Sequence, residues 1–164
     1  MKIRAVQPDD WDQIWPFFSE IVAAGETYAY PEDLTPEQAR AMWTPGPNGT
    51  TVVAIEGDTL LGAATAGPNR PGRGSHVATA SFMVSPTARG RGVGRALGEY
   101  VLRWAVAEGF RGMQFNAVVE TNTAAVALWE SLGFATVGIV PEAFDSAAHG
   151  LVGLHVMYRP LAGE

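Results

Sequence analysis

Val84-Ser85-Pro86-Thr87-Ala88-Arg89-Gly90-Arg91-Gly92-Val93-Gly94-Arg95-Ala96-Leu97 is the stretch whose reading decides the fold. Before it, His76 to Val84 reads as a strand. After it, Val93, Leu97, Tyr100, Val101, Trp104 and Ala105 recur at i, i+4, i+7, i+8, i+11 and i+12, a helix with one apolar face, and Gly109 supplies the stop. Three alternating glycines bare the main chain at 90, 92 and 94, and the first turn of a helix offers free N–H groups carrying roughly half a positive charge. Arg89, Arg91 and Arg95 add full charges, so the turn is a ready seat for an anion. The alternative is a tight strand-to-helix turn with solvated arginines. A Walker loop would end in Gly-Lys-Ser/Thr, whereas Gly94-Arg95-Ala96 stands here, and both frames of a dinucleotide fingerprint fail, at Arg95 and at Leu97.

Working outward, residues 2–6 form a short predicted strand, and Asp9 or Asp10 can cap a helix carrying Trp11, Ile14, Trp15, Phe18, Ile21 and Val22, which Pro16 should kink or split. Thr35-Pro36-Glu37-Gln38 is a capping box opening a second helix to about Trp43, with an irregular loop over 25–34 between the two. Residues 51–56 and 59–66 are β-rich runs joined at Gly57-Asp58, a hairpin signal. Beyond the central helix come a strand over 113–119, a helix over 123–132 capped by Thr121 or Asn122 and ended by Gly133, and strands near 134–140 and 151–159. The order β-α-α-β-β-β-α-β-α-β-β predicts a mixed, mainly antiparallel sheet of the α/β (α+β) class, with a right-handed parallel crossover around 89–108.

The 164 residues fit one domain over 1–164. With no cysteine, there is neither a disulfide framework nor a protein thiol to carry a group in transit, and a reducing cytoplasm is the expected compartment. Met1-Lys2-Ile3-Arg4 runs into Pro8-Asp9-Asp10 with no long apolar segment, so neither a signal peptide nor a membrane span is expected. A net charge of −6 disfavours nucleic acid and anionic membranes as partners. Five of the eleven basic residues nonetheless fall between Arg89 and Arg111. His76, His149 and His155 lack metal-ligand spacing, and no metal is expected.

Arg89-Gly90-Arg91-Gly92-Val93-Gly94 fits Arg/Gln-x-x-Gly-x-Gly/Ala, the signature of the GNAT superfamily of acyl-CoA-dependent N-acetyltransferases, which the chain resembles. Asn122-x-x-Ala125-x-x-Leu128-Trp129-x-x-Leu132-Gly133-Phe134 resembles the second half of the same site. The resemblance implies about seven strands flanked by about four helices, with acetyl-CoA in a cleft where strands four and five splay. The N–H groups of Arg89, Gly90, Arg91, Gly92, Val93, Gly94 and Arg95 would hold the pyrophosphate, and the main chain of Phe82, Met83 and Val84 would pair with the pantetheine. Asn122, Ala125 and Trp129 would face the pantetheine and thioester; Asn122 can equally be a plain helix cap, and Trp129 a core residue. Many relatives form dimers, so a homodimer is admitted.

Acetyl transfer needs a neutral amine, whereas a primary amine of pKa near ~10 is mostly protonated at pH 7, so a base or water chain must act. Direct attack in a ternary complex is expected. In many family members a tyrosine matching Trp129 protonates the departing sulfur; indole cannot, although a thiol of pKa about 8.5 leaves as its anion. The family's acceptor walls correspond to Gly25–Pro31 and Pro141–Gly150, and Glu26-Thr27-Tyr28-Ala29-Tyr30 resembles the loop of enzymes that acetylate small amino-acid-like amines, of the phosphinothricin and methionine-derivative type. Glu26 is the candidate carboxylate beside the amine, against a solvated loop acid, with Tyr28, Tyr30 and His149 as acceptor-binding candidates. A small-molecule amine is thus the expected substrate. The missing tyrosine keeps a second reading open, a catalytically silent acyl-CoA sensor.

Overall fold

In the computed structural model, which describes residues 1–161, seven strands form one sheet in the order β1-β2-β3-β4-β5-β7-β6. The strands are β1 (Lys2–Ala5), β2 (Thr50–Glu56), β3 (Thr59–Pro68), β4 (Val77–Val84), β5 (Gly112–Val119), β6 (Ala135–Ser146) and β7 (Gly150–Pro160). The helices are α1 (Trp11–Ala24), α2 (Pro36–Trp43), α3 (Val93–Ala107) and α4 (Thr123–Ser131). Every strand pairing is antiparallel except β4 with β5, as the crossover through α3 requires. That parallel pairing consists of Val77 opposite Gly112 and Ala78 opposite Met113, after which the strands part.

The sheet is covered on both faces. Val52, Ala64, Ala78, Leu97, Val101, Phe115 and Met157 pack with α3 and α4, while Val53, Ala63 and Met83 pack with Ile14, Phe18, Ile21 and Trp43 from α1 and α2. Alternate residues of β2, β3 and β4 thus feed opposite cores, the two-residue period of a strand buried on both sides. Arg4 joins β1 to the start of α1 through two bonds to Asp10, at 2.7 and 2.8 Å, which hold the Asp10 carboxyl below its ordinary range. The capping box at Thr35 forms as its sequence dictates, Gln38 N–H donating to Thr35 Oγ1 and Thr35 N–H to Gln38 Oε1.

Two expectations need correction. Pro16 does not split the first helix, which runs unbroken from Trp11 to Ala24. Pro16 and Asp12, whose carbonyl loses its partner, are both exposed, so that carbonyl is left to solvent at little cost while Ile14, Phe17, Phe18 and Ile21 anchor both halves. Residues 141–146 are not a loop but the second half of β6, which bulges between Val140 and Phe144 and resumes pairing at Phe144 opposite Val152. Glu142 carries the bulge at φ +52°, and burial of Phe144 against Val119 and Val152 draws the strand back to the sheet.

Candidate active site

The turn after β4 is built as its glycines suggest, with a division of labour among them. Gly90 and Gly92 take left-handed φ of +74° and +77°, where a side chain would meet no neighbour; backbone conformation, not crowding, demands glycine there. Gly94 lies inside α3, where a Cβ would meet Leu128 Cδ2 of α4 in ordinary contact at 3.4 Å, so neither crowding nor backbone conformation demands glycine there. The first intrahelical bond is Ala96 N–H to the Gly92 carbonyl at 3.0 Å. Among the described residues, the four preceding N–H groups, Gly92 to Arg95, meet no protein acceptor.

The arginines around these amides are exposed and lightly tethered. Arg91 pairs with Glu56, whose carboxyl it holds below its ordinary range. Arg95 donates to Ser131 Oγ at 2.6 Å and lies 3.7 Å from Glu99. Such surface pairs are worth about 0–1 kcal/mol and yield to a stronger anion.

Beside the turn, β4 and β5 leave a gap. Phe82 turns its main chain into it: the Tyr28 hydroxyl accepts from Phe82 N–H at 2.9 Å and donates to the Phe82 carbonyl. Along an antiparallel strand N–H and C=O alternate together between the two sides, so Ala80 and Val84 also face the gap. Met83 does not. Its carbonyl points at β3, 2.8 Å from where a Gly62 Cβ would stand, and its side chain is 2% exposed among the α1 and α2 residues. Tyr28 stacks on Tyr30 with ring centroids 5.0 Å apart, Tyr30 on Phe18 at 5.7 Å, and burial pushes the Tyr28 hydroxyl far above its ordinary range. It therefore serves as a lasting hydrogen-bonding group, not an acid.

At the start of α4, Asn122 Oδ1 accepts from Ala125 N–H at 3.3 Å, making it the helix cap, while its amide nitrogen has no protein acceptor among the described residues. Trp129 is 7% exposed, its ring 4.7 Å from Phe82 and 4.8 Å from Phe115. A Cβ on Gly98 would stand 3.0 Å from Trp129 Cζ3, so the indole is wedged closely against α3.

Glu26 is occupied. Ser146 Oγ donates to its Oε2 and Ala148 N–H to its Oε1, both at 2.7 Å, and Ala147 N–H donates to the Gly25 carbonyl at 3.0 Å. These bonds, the Ser146 hydroxyl foremost, hold the Glu26 carboxyl below its ordinary range, with His149 adding a smaller electrostatic pull. They clasp the loop after α1 to the turn between β6 and β7. His149 is exposed on that turn, its N–H donating to Ser146 Oγ at 3.1 Å.

A cavity of about 490 Å³ opens on the α2 side of β3 and β4. Its wall includes Thr65, Thr79, Ala80 and Ser81 from the strands, Asn48 from the loop after α2, and Asn69 and Arg70 from the loop after β3. Asn69 Oδ1 accepts from Asn116 Nδ2 of β5 at 2.7 Å, which ties that loop across to the departing strand. None of these residues stands out in the sequence, because they come together from two loops and two strands and match no motif.

A model of the acetyltransferase (GNAT) family matches residues 12–134, well over half of the chain, and the chain belongs to that family. It is 40% identical over 106 residues to N-acetyltransferase aca1 of Schizosaccharomyces pombe, 65% of this chain and 51% of that protein, so the match spans about half that relative's length. Among solved structures, a GCN5-related N-acetyltransferase from Kribbella flavida superposes with a TM-score of 0.95 at 62% identity, covering 98% of this chain and 97% of that one. A GNAT superfamily phosphinothricin acetyltransferase from Sinorhizobium meliloti, solved in complex with AcCoA, superposes with a TM-score of 0.87 at 27% identity over 98% and 88% of the two chains.

Proposed function

We propose that this chain, as one domain over residues 1–164, transfers an acetyl group from acetyl-CoA to the primary amine of a small molecule, an amino acid or amino acid analogue. The observation that carries this reading is the run of four unpartnered amides from Gly92 to Arg95, ringed by Arg89, Arg91 and Arg95, at the mouth of the β4–β5 gap. A diphosphate fits there, taking the amides and releasing the arginines from weak surface partners. The AcCoA complex of the Sinorhizobium meliloti relative supports the choice of donor.

Acetyl-CoA supplies an acetyl thioester open to attack by nitrogen; the chain's residues do the rest. Arg89, Gly90, Arg91, Gly92, Val93, Gly94 and Arg95 hold the diphosphate. Val84 offers its N–H and C=O to the pantetheine as an edge strand, while Tyr28 keeps those of Phe82. Asn122 presents its free amide nitrogen and Ala125 a small surface at the start of α4, and Trp129 backs Phe82 from behind. Glu26, held ionised by Ser146 and Ala148, is a weak base; its part is to attract the acceptor's ammonium, and proton removal falls to water or to His149 on the adjacent turn. Tyr30 shapes the wall beneath Tyr28. With no cysteine to receive the acetyl group, the amine attacks directly in a ternary complex, the C–N bond forming as the C–S bond breaks.

The same reading places the protein in the reducing cytoplasm and makes it a homodimer. Val137, Ile139, Val140 and Leu151 are exposed on β6, the sheet's edge strand, and its neighbour β7; such a surface calls for cover. Calorimetric titration with acetyl-CoA, followed by a thiol-release assay over amino acids, sulfoximine and sulfone analogues, polyamines and peptides, tests the function. Binding with acceptor-dependent release is expected. Binding without release from any acceptor gives the silent sensor instead, and absence of binding removes the reading.

A further inference from the structure

We propose that the cavity on the α2 side of the gap receives the non-reacting end of the acceptor, and that Arg70 selects a carboxylate there; this rests on the acetyltransferase reading. Ala80 lines the cavity while its main chain faces the gap, so an amine reaching the thioester from this side leaves its remainder in the cavity. At about 490 Å³ the cavity lies within the roughly 300–1,000 Å³ typical of small-molecule sites.

The chemistry of the wall decides the class of acceptor. Among the described residues, Arg70 is the one charged residue of the lining, and no lining residue is acidic. One Arg70 nitrogen donates to the Asn69 carbonyl at 3.1 Å, which leaves most of its five N–H donors for a ligand. Asn69 is held by Asn116, itself held by Gln114 Nε2 at 3.0 Å, so the loop presenting the guanidinium is braced before any ligand arrives. A carboxylate would gain a forked, charge-assisted pair there. A second ammonium, as on a diamine or polyamine, would shed water and meet a like charge with no carboxylate to receive it. Thr79 and Ser81 add hydroxyls suited to a neutral polar middle.

The test compares, for one amine scaffold, the acid, its carboxamide and a diamine of matched length as acceptors, in the wild type, Arg70→Gln and Arg70→Glu. The expected result is that the acid is the best acceptor and that Arg70→Gln raises its KM about 10- to 100-fold, the worth of a charge-assisted hydrogen bond. The carboxamide's KM and the acetyl-CoA Kd should stay unchanged, and Arg70→Glu should turn the preference toward the diamine. Equal losses on acid and carboxamide, or a diamine favoured by the wild type, would overturn the proposal while leaving the transferase reading intact. Ligand-observed NMR with the N-acetylated acid, sensitive to Arg70→Gln, reads the cavity without turnover; binding indifferent to Arg70 also overturns the proposal. Failure of acetyl-CoA to bind condemns the transferase reading instead.

Discussion

The Tyr28 hydroxyl takes both main-chain groups of Phe82, 54 residues away, accepting from its N–H at 2.9 Å and donating to its carbonyl. A side chain from the loop after α1 thus fills the place on β4 that a neighbouring strand would take, and β4 keeps its line where β5 has left it.

Tyr28→Phe keeps the stacking on Tyr30 but strips Phe82 of both partners. Leaving such groups unpaired costs about 1–3 kcal/mol, or roughly 2–4 °C of Tm for each kcal/mol in a chain of this size. Calorimetric melting checks the loss.

Gly92→Val forces a β-branched residue to φ +77°, at a backbone cost of about 1–3 kcal/mol, although no neighbour obstructs the new side chain. The strained residue is the cap of α3 and the first of the four free amides, so the seat shifts with it. Acetyl-CoA affinity should fall at least about tenfold by calorimetry; an unchanged affinity in a folded variant would remove the diphosphate seat.

Glu26 links pH to the clasp between the α1 loop and the β6–β7 turn. Its carboxyl lies below the ordinary 4.5, so its stabilising contribution is complete above about that pH and is lost as the pH falls through the lower, folded value. Glu26→Gln should flatten the acid limb of the stability profile. Glu26→Ala should speed amide hydrogen exchange at Ala148, whose N–H loses its acceptor.

Trp129→Ala would open a cavity among Phe82, Phe115 and Phe134, for about 3–5 kcal/mol. Trp129→Tyr should not gain an acid toward sulfur, since the side chain at this position is buried against Gly98 and the rings of Phe82 and Phe115. The pH dependence of thiol release in Trp129→Tyr should therefore match that of the wild type; a new limb near pH 10 would show a working phenol.

The elements that carry a local rule were legible in the sequence. The glycine and arginine turn, the apolar stripe of α3, the capping box at Thr35 and the Gly57-Asp58 hairpin each have periodicity or turn chemistry that outweighs its surroundings. The second half of β6 has none: Pro141, Glu142 and Ala143 are all exposed, so no alternation marks its start, and Pro141 argues for a loop. Tyr28 with Phe82 and Glu26 with Ser146, 54 and 120 residues apart, are set by tertiary folding alone. Hence Glu26 could be placed near the acceptor walls while its commitment to Ser146 and Ala148 stayed hidden. The Arg70 cavity has the same origin.

Among the described residues, two residue pairs, Val77 with Gly112 and Ala78 with Met113, make the whole strand ladder between the β1–β4 leaf of the sheet and the β5–β7–β6 leaf. A molecule lodged between the leaves becomes a seam of its own, adding to folding free energy by RT ln(1 + [L]/Kd). Cohesion of the two leaves then rises with the donor's concentration, and a substitution that loosens the grip on the page also forfeits that share of the binding of the book.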